Sequence, residues 1–254
     1  MAFADYHKIV LFGDSLTEQS YEQARGFGFG AAITDAYRRK LEVVGRGFSG
    51  YNTAHALHVL PQMIPPPSET SRIKLMTVFF GANDAVLPGQ PQHVPLDEYI
   101  ENLKKLLTHP ALKPHGTTFI LITPPPICEY ITQEEDAKKG KHYIQRLASR
   151  TKEYADAAVK VGQELGVPIV NLWQAFMKYA GGWKEGEPLP GSKDCAPNKE
   201  LQSLLRDGLH FNPKGYEIMY DEVLQTIRQY YSELDPETLP FMYPHWEVAP
   251  KASS

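Results

Sequence analysis

Ser15 stands directly after the apolar run 9–12, in the stretch KIVLFGDSLTEQS (8–20). A serine hydroxyl there can act as a nucleophile if a base reaches it. Far along the chain, RDGLHFNPKGYEIM (206–219) places Asp207 three residues before His210. A carboxylate at that spacing can accept the imidazole Nδ1–H, which fixes the tautomer and stabilises the imidazolium. In FFGANDAV (79–86), Asn83 and Asp84 follow a third apolar run. An asparagine amide there can donate to a developing oxyanion. GRGFSGYNT (45–53) offers Gly50, whose bare backbone lets an N–H approach a ligand closely. Taken alone, each has an ordinary reading as a turn, a helix cap or a solvated loop pair. Taken in order, they supply a nucleophile, two further oxyanion donors, an orienter and a base.

Such a set needs strands that end side by side. Five strand-like runs occur, at 7–13, 41–47, 73–84, 117–125 and 167–173, several of them apolar on consecutive residues. That pattern fits a sheet covered on both faces. Helical patterns lie between them, at 30–40, 96–109 and 141–166. In the second, Leu96, Ile100, Leu103 and Leu107 form one face, and in the third Tyr154, Ala158, Val161 and Leu165 do. Asn212-Pro213 reads as an N-cap followed by proline in the first turn of a last helix, with Met219, Val223 and Ile227 on one side. Alternating strands and helices predict an α/β domain with a mainly parallel sheet. Ligands in such sheets sit outside the carboxyl ends of the strands, where Ser15, Gly50 and Asn83 fall.

The chain of 254 residues reads as a single domain over 1–254, with a tail at about 232–254 partly packed on the body. A net charge of -4 gives no electrostatic reason to expect nucleic acid or an anionic membrane as partner. No signal peptide and no apolar run long enough to span a bilayer is visible, so the expected location is cytoplasmic or otherwise intracellular. Cys128 and Cys195 are then expected to be free thiols.

The four motifs together resemble the GDSL, or SGNH, hydrolase family. Gly13-Asp14-Ser15-Leu16 matches its naming block, Gly50 its second, Gly81-Ala82-Asn83-Asp84 its third and Asp207-Gly208-Leu209-His210 its fifth. Within the family, LFGDSLTEQS, RGFSGYNT and DGLHFNPKGYEIM look most like the isoamyl acetate-hydrolysing esterases of fungi, plants and animals. The resemblance implies a three-layer α/β/α sandwich with a mainly parallel five-stranded, flavodoxin-like sheet. It also implies a serine esterase acting on short-chain esters such as acetates of medium-chain alcohols. Ser15, Asp207 and His210 would be the triad. The Ser15 and Gly50 backbone N–H groups and the Asn83 side chain would form the oxyanion hole, and Asp14 would hold the turn. The partner would be a small-molecule ester. No metal or organic cofactor is called for, and homo-oligomer formation is left open.

Rival readings stay in view. An acyltransferase, a lipase or a thioesterase would use the same residues, and an inactive binding protein could keep the fold. GFGFGA (26–31) fits a loose dinucleotide fingerprint, but it does not directly follow a strand. His55 and His58 lack a third ligand for zinc, and Cys195 lies in an irregular Pro/Gly-rich stretch without a neighbouring histidine. Pocket walls are expected from the loop at 124–130 and from the stretch around Trp183.

Overall fold

The computed structural model describes residues 6–141 and 143–249. Its elements are β1 (Lys8–Gly13), α1 (Ser15–Glu18), α2 (Phe29–Ala36), β2 (Glu42–Gly47), α3 (Thr53–Met63), β3 (Ile73–Phe79) and α4 (Leu96–Leu107). Then come β4 (Thr118–Ile122), α5 (Glu129–Lys138), α6 (Ala148–Leu165), β5 (Ile169–Val170), α7 (Leu172–Tyr179), α8 (Lys199–Leu204) and α9 (Pro213–Tyr230). The five strands form one sheet in the order β2-β1-β3-β4-β5, and every neighbouring pair is parallel.

Alternation along β1 divides the interior into two cores. Ile9 and Leu11 pack with Phe29 and Ile33 of α2, Phe176 of α7, and Met219, Val223 and Ile227 of α9. Val10 and Phe12 face the other way, towards Ala56 and Leu60 of α3, Leu103 and Leu106 of α4, and Tyr154, Ala158 and Val161 of α6. Helices therefore cover both faces, giving the expected three-layer α/β/α sandwich. This is why the central strands are apolar on consecutive residues. The edge strand β2 is less buried.

The register sets the strand ends at one level. Gly13 of β1 pairs with Gly47 of β2 and with Phe79 of β3. Ser15, Gly50 and Asn83 follow these three residues within a few positions, so their loops leave the sheet at the same edge.

Two element boundaries and one helix cap differ from the sequence expectation in ways that bear on the site. The last strand is only two residues long, not 167–173, because the Asn171 side chain accepts from Gln174 N (3.0 Å) and starts α7 there. The helix expected from 141 starts at Ala148. Its first residues are instead drawn onto the loop after β3, where Leu87 N donates to Gln145 O (2.8 Å); His142 lies outside the described residues. Asn212 does precede α9, with Pro213 in its first turn, but its side chain makes no cap bond. Its Nδ2 donates to Ser203 O (3.0 Å).

Cys128 and Cys195 are free. In the tail, Met242 N donates to Arg39 O (2.9 Å), and the Arg39 guanidinium lies 4.4 Å from the Phe241 ring centre. Tyr37 Oη donates to Leu234 O (2.6 Å). Residues 250–254 lie outside the described residues.

Candidate active site

Ser15 is the first residue of α1, separated from β1 by Asp14 alone. Asp14 caps that helix by accepting from Leu16 N (2.9 Å), and its carbonyl accepts from Thr17 N and Glu18 N. The turn must fold tightly on itself. A Cβ at Gly13 would lie 2.1 Å from Thr17 Oγ1 and 2.7 Å from Phe79 O, so only glycine fits that approach.

The segment carrying Asp207 and His210 is pinched at its base. Leu205 and Phe211 form an antiparallel bridge, and Arg206 N donates to His210 O (2.8 Å). Phe211 anchors the segment in the core against Phe176 and Tyr216, with ring centres 4.9 and 5.1 Å away. Tyr216 Oη donates to Leu16 O (3.0 Å), and Arg206 reaches Gln19 and Glu22. On the other side, Cys128 N donates to Gly208 O (2.9 Å). These ties join two segments 195 residues apart.

The result is a continuous chain of hydrogen bonds. His210 Nδ1 lies 2.7 Å from Asp207 Oδ2, and His210 Nε2 lies 2.9 Å from Ser15 Oγ. Asp207 Oδ1 accepts from His210 N (2.8 Å) and Leu209 N (3.2 Å). An ionised carboxylate only accepts, so Nδ1 carries the proton and Nε2 is free to accept the serine O–H. Burial works against ionisation of Asp207. The His210 bond, the charge His210 carries when it is protonated, and the two backbone N–H groups outweigh it, holding the carboxyl well below the usual carboxylate range.

The loops after β2 and β3 meet, joined by the Asn83 side chain and the Tyr51 carbonyl. Gly50 adopts φ +82°, and its carbonyl accepts from Gln92 Nε2 (2.7 Å). Asn83 is buried, and its Nδ2 donates to Tyr51 O (2.9 Å). Its Oδ1 accepts from Arg146 (3.0 Å), which also donates to Ala82 O. Among the described residues, the Asn83 amide nitrogen has one acceptor for its two N–H groups. Asp84 turns away from this junction, and its Oδ1 accepts from Thr53 N (2.9 Å) and Thr53 Oγ1.

Asp14 and Asp84 are both buried. Each leaves one carboxylate oxygen without a hydrogen-bond partner among the described residues. Burial pushes the Asp14 carboxyl up to about 7, with the Leu16 N–H and Arg146 pulling down and Asp84 pushing further up. Burial pushes Asp84 up to about 6 against the two bonds from Thr53.

The sequence of the GDSL-like Lipase/Acylhydrolase family matches residues 9–223. The chain belongs to this family. It is a carboxylic ester hydrolase, similar at 38% identity to a GDSL esterase/lipase of Arabidopsis thaliana, over 94% of this chain and 91% of that protein. It is 34% identical to the isoamyl acetate-hydrolyzing esterase of Saccharomyces cerevisiae, over 95% and 94% of the two chains. A human isoamyl acetate-hydrolyzing esterase homologue matches at 34% identity over 96% and 89%. Among solved structures, the acetylxylan esterase Axe2 from Geobacillus stearothermophilus aligns with a TM-score of 0.62 at 20% identity, over 89% and 96% of the two chains. A lipase/acylhydrolase from Enterococcus faecalis gives 0.57 at 24%, over 88% and 96%. These two similarities speak to the fold of the hydrolase.

The structure brings Ser15, Asp207 and His210 into hydrogen-bond contact and sets Asn83 against the Gly50–Tyr51 turn. The 124–130 loop abuts the His210 segment through the bond from Cys128 N to Gly208 O. Trp183 instead packs edge-on against Trp173, in a depression on α6 and α7 that none of these five residues lines. No helix among the described residues is long and apolar enough to cross a membrane.

Two residues of the hydrolase carry no sequence signal and still shape this region. Arg146 sits in a stretch that reads as helix. Glu129 sits in one that reads as loop. Glu129 is buried, accepting from Ala148 N (2.8 Å) through one oxygen and from Lys193 N (3.1 Å) through the other.

Proposed function

We propose that the hydrolase cleaves short-chain carboxylic esters, such as acetates of medium-chain alcohols, through an acyl-enzyme on Ser15. The observation that carries this reading is the Ser15–His210–Asp207 chain of contacts at 2.9 and 2.7 Å. His210 Nε2 takes the Ser15 proton as Oγ bonds to the ester carbonyl carbon, and the carbonyl π pair moves onto oxygen. The Ser15 and Gly50 N–H groups and the free Asn83 N–H hold that oxyanion. The intermediate collapses, the carbon–alkoxide bond breaks, and His210 returns its proton to the departing alcohol. Water then repeats the sequence on the acyl-enzyme and releases the acid and Ser15. Asp207 stays ionised throughout, because its carboxyl is held so low.

The substrate class is supported by the yeast relative, an isoamyl acetate-hydrolyzing esterase that matches nearly the full length of both chains. Initial rates across an ester panel, varying acyl and alcohol lengths separately, test it. The expected result is a steep fall of kcat/KM as the acyl group lengthens beyond acetyl and a shallower dependence on the alcohol. A preference for long acyl chains would overturn the substrate class. Mechanism is tested on the same preparation with a fluorophosphonate probe. Wild type should be labelled at Ser15, while Ser15→Ala should not be labelled and His210→Ala only very slowly. Labelling of Ser15→Ala at the wild-type rate would remove Ser15 from the role.

A further inference from the structure

Arg146 lies outside the four motifs, and its contacts are unusual for a loop arginine. One guanidinium N–H donates to Asn83 Oδ1 at 3.0 Å, and another donates to Ala82 O, the carbonyl just before it. Its backbone is held on both sides. Gln145 O accepts from Leu87 N (2.8 Å), and Ala148 N donates to Glu129 Oε1 (2.8 Å). The side chain is thus aimed from a fixed loop at the turn that carries Asn83.

An asparagine amide can rotate by half a turn at little intrinsic cost, exchanging its oxygen and nitrogen. For an oxyanion donor that exchange is fatal, since it presents an acceptor to a negative charge. A guanidinium has donors only, so it pairs with the amide oxygen and never with the nitrogen. The Tyr51 carbonyl accepts only, so it pairs with the nitrogen (2.9 Å) and never with the oxygen. Between these two partners only one orientation of the Asn83 amide satisfies both ends. The positive charge on the oxygen side also draws electron density from the amide and strengthens its remaining N–H as a donor.

We propose that Arg146 is a positioning residue that locks and polarises the Asn83 amide for oxyanion binding. The proposal rests on the reading of Asn83 as an oxyanion donor. Arg146 touches neither the substrate nor the reacting atoms; its effect passes through Asn83. Burial pulls the Arg146 guanidinium below its ordinary range, and the negative charges of Asp14, Asp136 and Asp207 work against that fall.

The experiment is a double-mutant cycle on the full chain with Arg146→Gln, Asn83→Ala and the pair, plus Arg146→Lys, all checked by thermal melting. Arg146→Gln should lower kcat by up to about 10²-fold, the scale of misplacing a catalytic group. KM should change little, because the ground state barely uses the oxyanion contact. In the Asn83→Ala background the same substitution should cost nothing further. Arg146→Lys keeps a charged donor and should recover part of kcat. A merely structural arginine would lower the melting temperature without this split and would act equally in both backgrounds. Equal fold losses in the two backgrounds, or full kcat in a folded Arg146→Gln, would overturn the proposal. If Arg146→Gln does not fold, Arg146→Lys carries the same cycle. Asn83→Ala alone reports on the reading beneath it: unchanged kcat there would overturn the oxyanion role whatever Arg146 does.

Discussion

At the scale of single residues, the sharpest distinction concerns what the Asn83 side chain is for. An oxyanion donor matters more in the transition state than in the ground state, and removing one typically costs about 10²–10³ in kcat. Asn83→Ala should therefore lose roughly that much with KM little changed. Asn83→Asp should be at least as damaging, although it is nearly isosteric. It turns an acceptor and a negative charge towards the oxyanion, even as its other oxygen could still pair with Arg146. A purely structural turn residue predicts the reverse, since aspartate serves turns and caps almost as well as asparagine. Near-wild-type kcat in a folded Asn83→Asp variant would falsify the donor role. The candidate site residues Asn83, Ser15, Gly50, Asp207 and His210 can be picked out in the sequence because each belongs to a short motif of fixed spacing placed where an element ends. Arg146 was not. Its bond to Asn83 spans 63 residues, and a lone arginine before an amphipathic run carries no local mark of its partner.

At the scale of elements, the strands and the long amphipathic helices could be read because apolar periodicity announces them. The elements that could not be read are those that other segments define. In α5, EYITQEEDAK, only Glu129 and Thr132 are buried, so no apolar stripe marks the helix. The start of α6 is likewise set from outside, by Glu129 accepting from Ala148 N. Glu129 joins three segments: its own helix, the start of α6, and the irregular stretch at Lys193. A carboxylate at the first turn of an eighteen-residue helix is also favoured by the helix dipole. Glu129→Ala would strand the buried Ala148 N–H, worth about 1–3 kcal/mol, and would release the Lys193 N–H, whose residue is exposed and can turn to solvent. For a chain of this size, each kcal/mol corresponds to roughly 2–4 °C in melting temperature. The expected loss is therefore several degrees, with Glu129→Gln intermediate because one carbonyl oxygen remains. Because Arg146 lies two residues before Ala148, kcat should fall as well. An unchanged melting temperature in Glu129→Ala would remove Glu129 as the tie between these segments.

At the scale of the whole molecule, the site constrains how stability depends on pH. The tight turn after β1 and the junction after β3 bury Asp14 and Asp84, and burial raises their carboxyls to about 7 and about 6. In the unfolded chain both return to about 3.9. Between these values the folded chain keeps protons that the unfolded chain has released. Stability from these two groups is therefore full below about pH 4, is lost as pH rises through about 6 and 7, and is flat above that. Asp207 runs the opposite way: its lowered carboxyl contributes stability above the ordinary carboxylate range that is lost as the solution is acidified through it. Asp14→Asn isolates the first effect. Asparagine keeps an oxygen to accept from Leu16 N and caps α1 about as well, but it cannot ionise. Relative to wild type, its melting temperature should improve from pH 5 to about pH 7 and level off towards pH 8, because only the wild type pays for a buried charge at the upper end. Whatever constant offset the new N–H₂ introduces is common to every pH, so the slope of the difference is the observable. A difference that stays level from pH 5 to 8 would mean that Asp14 ionises in the folded chain as it does in the unfolded one, and that its unpartnered oxygen meets compensating charge or solvent.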